Sequence, residues 1–134
     1  MAGQSKPIPP PPNHLEIVML NPTCLFCKII QQTIPSTIIK ENDHVLVIQD
    51  ISPKAPTHYL LLTKKHIDNV TALTGEDAAY SSALFAMAQT LGNELPSKAF
   101  NLIINNGAAA GQSVFHLHMH FLAGKNLYEH GLRL

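Results

Sequence analysis

The chain has 134 residues, and its nine Lys and Arg balance nine Asp and Glu, leaving zero formal net charge with histidines neutral. That balance, with Lys64-Lys65 as an isolated basic pair, argues against nucleic-acid binding through phosphates. Hydrophobic residues make up 46% and charged residues only 13%, about half the usual charged share, so a second copy of the chain is expected to cover part of the apolar surface. Two cysteines make no disulfide framework, no apolar run approaches a membrane span, and the first residues lack a signal-peptide plan. The expectation is a single domain in the cytoplasm, with its thiols reduced or metal-bound.

Residues 1–20 carry Pro7-Ile8-Pro9-Pro10-Pro11-Pro12, stiff polyproline that cannot supply ladder hydrogen bonds, and are expected to be a disordered extension ahead of a folded domain over 21–134. Cys24 to Gln32 predicts a short helix that stops before Pro35. Thr37 to Lys40 and Val45 to Ile48 predict paired strands around a turn at Glu41-Asn42-Asp43, and Tyr59 to Thr63 a third strand. From Glu76 to Leu95, the residues Tyr80, Ala83, Leu84, Met87, Ala88, Leu91 and Leu95 mark one helical face, with Thr74 as a cap and Pro96 beyond the end. Phe100 to Ile104 predicts a fourth strand, and Asn105 to Gly111 a small-residue loop. Strands gathered around one long helix predict an antiparallel α+β domain.

The fifth strand carries the chemistry. Phe115-His116-Leu117-His118-Met119-His120-Phe121-Leu122 alternates histidine with large apolar residues, a period that suits a strand. Three imidazoles then stand in a row about 6.5–7 Å apart, while Phe115, Leu117, Met119 and Phe121 are expected to enter the core. Histidine has no special strand propensity, and Thr or Lys would serve a wet face better, so the row predicts function. The preceding loop, Asn106 to Ser113, has two glycines and almost no bulk, and can aim backbone N–H groups at an anion or simply connect two strands.

Gly111-Gln112-Ser113-Val114-Phe115-His116-Leu117-His118-Met119-His120 resembles the signature of the histidine triad (HIT) nucleotide-binding family. The likeness runs in order through Cys24-Leu25-Phe26-Cys27-Lys28-Ile29-Ile30, Asp50-Ile51-Ser52-Pro53-Lys54-Ala55-Pro56-Thr57-His58, Lys64-Lys65-His66 and Ile104-Asn105-Asn106-Gly107, and so covers about residues 22 to 124. The resemblance implies a HIT-like fold, a five-stranded antiparallel sheet with one long and one short helix, and a symmetric dimer in which two sheets become continuous. It implies a nucleotidyl hydrolase acting at the α-phosphorus of purine nucleotide conjugates, releasing AMP or GMP. His118 would be the nucleophile, a role that suits a neutral imidazole. His120 would bond the phosphoryl oxygens, Ser113 would assist the leaving group, and His58 would support the cluster. Asp50 would hold the ribose hydroxyls, while Asn105, Gly111 and Gln112 would contact the nucleotide and Ile48 and Ile51 would wall the base. Gly111-Gln112-Ser113 is similar to the phosphoramidase branch more than to the dinucleoside polyphosphate hydrolases. The chain departs from that branch by ending Asn126-Leu127-Tyr128-Glu129-His130-Gly131-Leu132-Arg133-Leu134 without tryptophan.

Cys24-x-x-Cys27 alone permits a redox pair, half a zinc site or two buried thiols. The resemblance adds His66 and His116 as further ligands of a structural zinc, a closed Cys₂His₂ set with no position for water. Two other readings stay open at this point. His118 and His120 can bind a catalytic metal, or the protein can sense nucleotides with little turnover.

Overall fold

The computed structural model describes residues 20–133. Alternation along the central strands sorts side chains onto two faces, each covered by its own helix. The strands are β1 (Ile38–Glu41), β2 (Val45–Gln49), β3 (Thr57–Thr63), β4 (Asn101–Ile103) and β5 (His118–Ala123). They form one antiparallel sheet in the order β1-β2-β3-β5-β4. The helices are α1 (Leu25–Ile30) and α2 (Ala78–Asn93), so the expected five strands, long helix and short helix are all present.

Val45, Val47, Leu61, Met119 and Phe121 pack with Leu84, Met87, Ala88 and Leu91 of α2. On the other face Leu46, Ile48, Leu60 and Leu62 pack with Phe26, Cys27, Ile29 and Ile30 of α1, and Leu20 joins them. A period of two thus splits one sheet into two apolar layers. Gly92 lets α2 lie close against the segment entering β4, since a Cβ there would fall 2.3 Å from Phe100 Cε1. The proline-rich run 7–12 lies outside the described residues.

Two boundaries differ from expectation for local reasons. α2 begins after a 3-10 turn at Gly75–Asp77, where the Asp77 carboxylate accepts the Thr74 N–H at 3.0 Å and pairs with Lys65 Nζ at 2.6 Å. That contact fixes the helix start and ties it to the segment before His66.

The second difference matters for the site. β5 starts at His118, not at Phe115. The His116 N–H turns back to the Val114 carbonyl at 2.9 Å, and the Leu117 N–H bonds to the Ile67 carbonyl at 2.6 Å, outside the ladder. His116 therefore leaves the row of imidazoles, and Phe115 stands 49% exposed instead of entering the core. Leu117, Met119 and Phe121 are buried as expected.

Candidate active site and metal centre

The kink at His116 gives neighbouring histidines different surroundings. His116 is fully buried, and its Nε2–H donates to the Thr63 carbonyl at 2.7 Å. A carbonyl can only accept, so the ring's free lone pair is on Nδ1. That atom faces Cys24 Sγ at 3.4 Å and Cys27 Sγ at 3.5 Å. His66 repeats the arrangement: its Nε2 meets Asp68 Oδ1 at 2.7 Å and its Nδ1 faces Cys27 Sγ at 3.3 Å. The four ligand atoms of Cys24, Cys27, His66 and His116 lie within 4.8 Å of one another. Two sulfurs and two imidazole lone pairs, with each ring held from behind by an oxygen, form a donor set that can hold a metal ion. Burial pushes the Cys27 thiol up to about 12, a shift that a cation at this place opposes, because a coordinating thiol is deprotonated.

His118 has the opposite tautomer. Its Nδ1–H donates to the His116 carbonyl at 2.6 Å, which leaves the Nε2 lone pair toward a cleft of about 460 Å³ lined by His118, His120, Ser113, Asn105 and Gly111. Burial lowers its pKa below the usual histidine value. Phe26 packs edge-on against its ring, with centroids 5.0 Å apart.

A relay sets His120. The Lys54 N–H donates to His58 Nδ1 at 3.0 Å, so His58 carries its proton on Nε2, and that Nε2–H reaches His120 Nδ1 at 2.9 Å. The same Nε2 stands 3.4 Å from Asp50 Oδ2. His120 is left with an Nε2–H donor, on a ring whose centroid is 5.2 Å from that of His118. Burial first, then the neighbouring imidazoles, lower the His120 pKa to about 4, and burial lowers that of His58. Asp50, His58 and His120 also lie within 4.8 Å of one another. The proton that the Lys54 amide forces onto His58 Nε2 occupies the position a metal would need, which favours a hydrogen-bonded relay over a second metal site.

Of the residues expected to bind a nucleotide, Ile48, Asp50, Ile51, Asn105, Gly111, Ser113, His118 and His120 line the cleft. Asp50 lies at its edge, with Oδ1 accepting the Ser52 N–H at 2.7 Å. Ile51 is 98% exposed at the rim. His58 stands behind His120 and not in the lining. Gln112 is also absent from the lining. Its amide is buried and fully engaged, accepting the Gly107 N–H at 2.8 Å and donating to the carbonyls of Asp68 at 2.8 Å and Val114 at 3.1 Å. It braces the loop from behind and links it to Asp68, the residue that holds His66.

The loop itself turns on Gly107 and Gly111, both at positive φ, around a 3-10 turn at Ala108–Ala110. The N–H groups of Ala110, Gly111 and Gln112 are used inside that turn. The amides of Ser113 and Val114, beside the histidines, keep no acceptor among the described residues. The expectation of a loop aiming N–H groups at an anion thus narrows to these two. Sequence reasoning missed Lys54, whose contribution is a backbone amide and leaves no side-chain signal. It also missed Leu25, Phe26, Ile29, Ile34, Pro35, Ser36, Gln49, Leu60 and Val114 as lining; only the apolar spacing of α1 hinted at any of them.

Comparison with known proteins identifies the family of this fold. The HIT domain family model matches residues 31–127. An uncharacterized HIT-like protein of Synechocystis is 43% identical over 102 residues, 75% of this chain and 90% of its own length. A solved structure of a HIT family hydrolase from Clostridium thermocellum superposes with a TM-score of 0.77 at 39% identity, covering 85% of this chain and 98% of that one. A histidine triad nucleotide-binding protein from Candida albicans gives 0.68 at 30% identity, over 74% of this chain and 73% of that one. The chain belongs to the HIT domain family. Among the described residues no helix is long and apolar enough to cross a membrane.

Proposed function

We propose that the protein is a purine nucleoside phosphoramidase, a hydrolase that releases AMP or GMP from P–N conjugates through a nucleotidyl intermediate on His118. The observation that carries this reading is the tautomer pair in the cleft. His118 offers a lone pair on Nε2, because the His116 carbonyl holds the Nδ1 proton, while His120 offers a proton on Nε2. A nucleophile beside a donor suits attack on a phosphoryl group whose oxygens gain charge. The names of two neighbours, a HIT family hydrolase and a nucleotide-binding protein, agree.

In this reading His118 Nε2 forms a bond to the α-phosphorus as the P–N bond breaks. The bonding pair leaves with the amine nitrogen, which takes the Ser113 hydroxyl proton as Ser113 takes one from solvent water in the cleft. His120 Nε2–H and the amides of Ser113 and Val114 hold the non-bridging oxygens. Water then attacks phosphorus, the His118–phosphorus bond breaks, His118 regains its Nε2 lone pair, and the water's proton passes to solvent. Asp50 and Asn105 hold the ribose end, and the base lies between Ile48, Ile51 and the α1 side chains.

The Cys24, Cys27, His66 and His116 set is assigned to zinc. Bound there, zinc supplies structure: a closed four-ligand site ties α1 and the 64–67 segment to the strand that carries His118. Two chains are assigned to a dimer through α2 and the outer edge of β4, supported by Phe85 at 62% exposure on α2 and by the unpaired edge of β4 among the described residues. Free buried thiols suit a cytoplasmic setting.

The test is release of AMP from an adenosine 5′-phosphoramidate carrying a reporter amine, compared with His118→Ala and repeated with a chelator. Release that needs His118 and survives brief chelation is the expected result. No release by the wild type, with AMP still bound, would instead make the protein a nucleotide sensor, and prompt loss on chelation would favour a catalytic metal.

A further inference from the structure

The cleft has a polar end and an apolar end, and one hydroxyl interrupts the apolar end. Its floor holds His120, Leu60 opposite it and Ile48 opposite Leu60, and the same row continues across the sheet to Ile38, opposite Ile48 on β1. Three strand intervals of about 4.8 Å put β1 roughly 14 Å from the histidines. A nucleotide whose phosphorus sits at His118 and His120, with its ribose beside Asp50, therefore lays its base over Ile48 and Leu60 and points the far edge of the ring at the segment entering β1. That segment is Ile34-Pro35-Ser36, all three lining the cleft.

Around the base end the remaining lining is Leu25, Phe26 and Ile29 from α1. Two polar side chains, Gln49 and Ser36, border this end; the Gln49 amide is engaged, donating Nε2–H to the carbonyls of His58 at 3.2 Å and Asp50 at 3.4 Å, which leaves Ser36. It is half-buried, two residues before Ile38 and so on the same side of the strand direction, and its hydroxyl has no hydrogen-bond partner among the described residues. Pro35 fixes the backbone that presents it. Serine is not required there by packing or capping.

Resting on the phosphoramidase reading, we propose that Ser36 is the residue that reads the base, through a hydrogen bond to the group at position 6 of a purine. A hydroxyl rotates to accept from an amino group or to donate to a carbonyl oxygen. Ser36 therefore recognises 6-amino and 6-oxo purines alike, and selects both over bases that bring no polar group to that edge. Pyrimidines are too short to reach it.

The experiment measures kcat/KM for the 5′-phosphoramidates of adenosine, guanosine, unsubstituted purine riboside and cytidine, all with the same reporter amine, on the full chain and on Ser36→Ala and Ser36→Thr. Ser36→Ala is expected to lower the adenosine and guanosine values by roughly fivefold each, the order of one neutral hydrogen bond. Purine riboside and cytidine values should not change, and Ser36→Thr should restore both purines. Equal loss for purine riboside, or no loss for adenosine and guanosine, would overturn the assignment while leaving the hydrolase intact. No nucleoside monophosphate released from any substrate by the wild type would overturn the hydrolase reading and this inference with it.

Discussion

His116 and His118 are two residues apart, yet one faces a cysteine pair with its Nδ1 and the other faces a nucleotide-sized cleft with its Nε2. The difference lies in which backbone carbonyl each ring meets. Thr63 takes the Nε2 proton of His116, and His116 in turn supplies the carbonyl that takes the Nδ1 proton of His118. One kink in the chain thus separates a histidine that faces the cysteines from one that faces the cleft. It also makes the first the orienting group of the second, as ligand shells and catalytic histidines generally require.

The largest effect is expected at His118. His118→Ala is expected to cut AMP release by more than about a thousandfold while leaving metal content and the thermal midpoint near those of the wild type. Loss of metal together with activity would mean that the two clusters are one unit.

Removing the structural side has a smaller effect on chemistry and a larger one on the fold. Cys27→Ala, or exhaustive chelation under reducing conditions, is expected to lower the thermal midpoint by roughly 10 °C, the scale of a few kcal/mol in a domain this size. Metal analysis should give one zinc per chain in the wild type and far less in the variant. Turnover by the variant at low temperature would separate stability from catalysis.

Acid sharpens the comparison next. The folded pKa values of His58 and His120 lie below the ordinary 6.5, that of His120 at about 4. Between those values the unfolded chain binds more protons than the folded one, so stability is complete above about pH 6.5 and falls as pH drops toward 4. Thermal midpoints from pH 7.5 to 4 should fall for the wild type and fall less for His120→Gln. The acid limb of kcat/KM should lie well below 6.5.

The smallest effect is expected at Phe115. Because it stands outside the core, Phe115→Ala should change stability by no more than about 0.5 kcal/mol, against about 3–5 kcal/mol for Phe121→Ala. Chemical denaturation of both variants checks where the strand begins.

Much of this was legible in the sequence, for identifiable reasons. Alternation in the histidine strand placed Leu117, Met119 and Phe121 in the core, and helical spacing identified the α2 residues that meet them, whereas the unbroken apolar runs 45–48 and 60–62 gave no face to either strand. The Cys24, Cys27, His66 and His116 grouping followed from the family resemblance, and the structure brings those four together. The kink at His116 was not legible, because the same alternation continues through it, and only the bond from Leu117 to Ile67 pulls the chain off the ladder. The Lys54 amide and the inward-turned Gln112 were hidden for a related reason: backbone donors and loop braces are set by tertiary contacts that residue type does not encode.

The most direct test of the central claim is a long-range proton–nitrogen NMR spectrum of the histidine rings in the zinc-loaded protein at neutral pH. The expected spectrum shows a neutral His118 protonated on Nδ1, a His120 protonated on Nε2, and a His116 protonated on Nε2 with its Nδ1 on the metal. A His118 ring that is doubly protonated, or that carries its proton on Nε2, would contradict it.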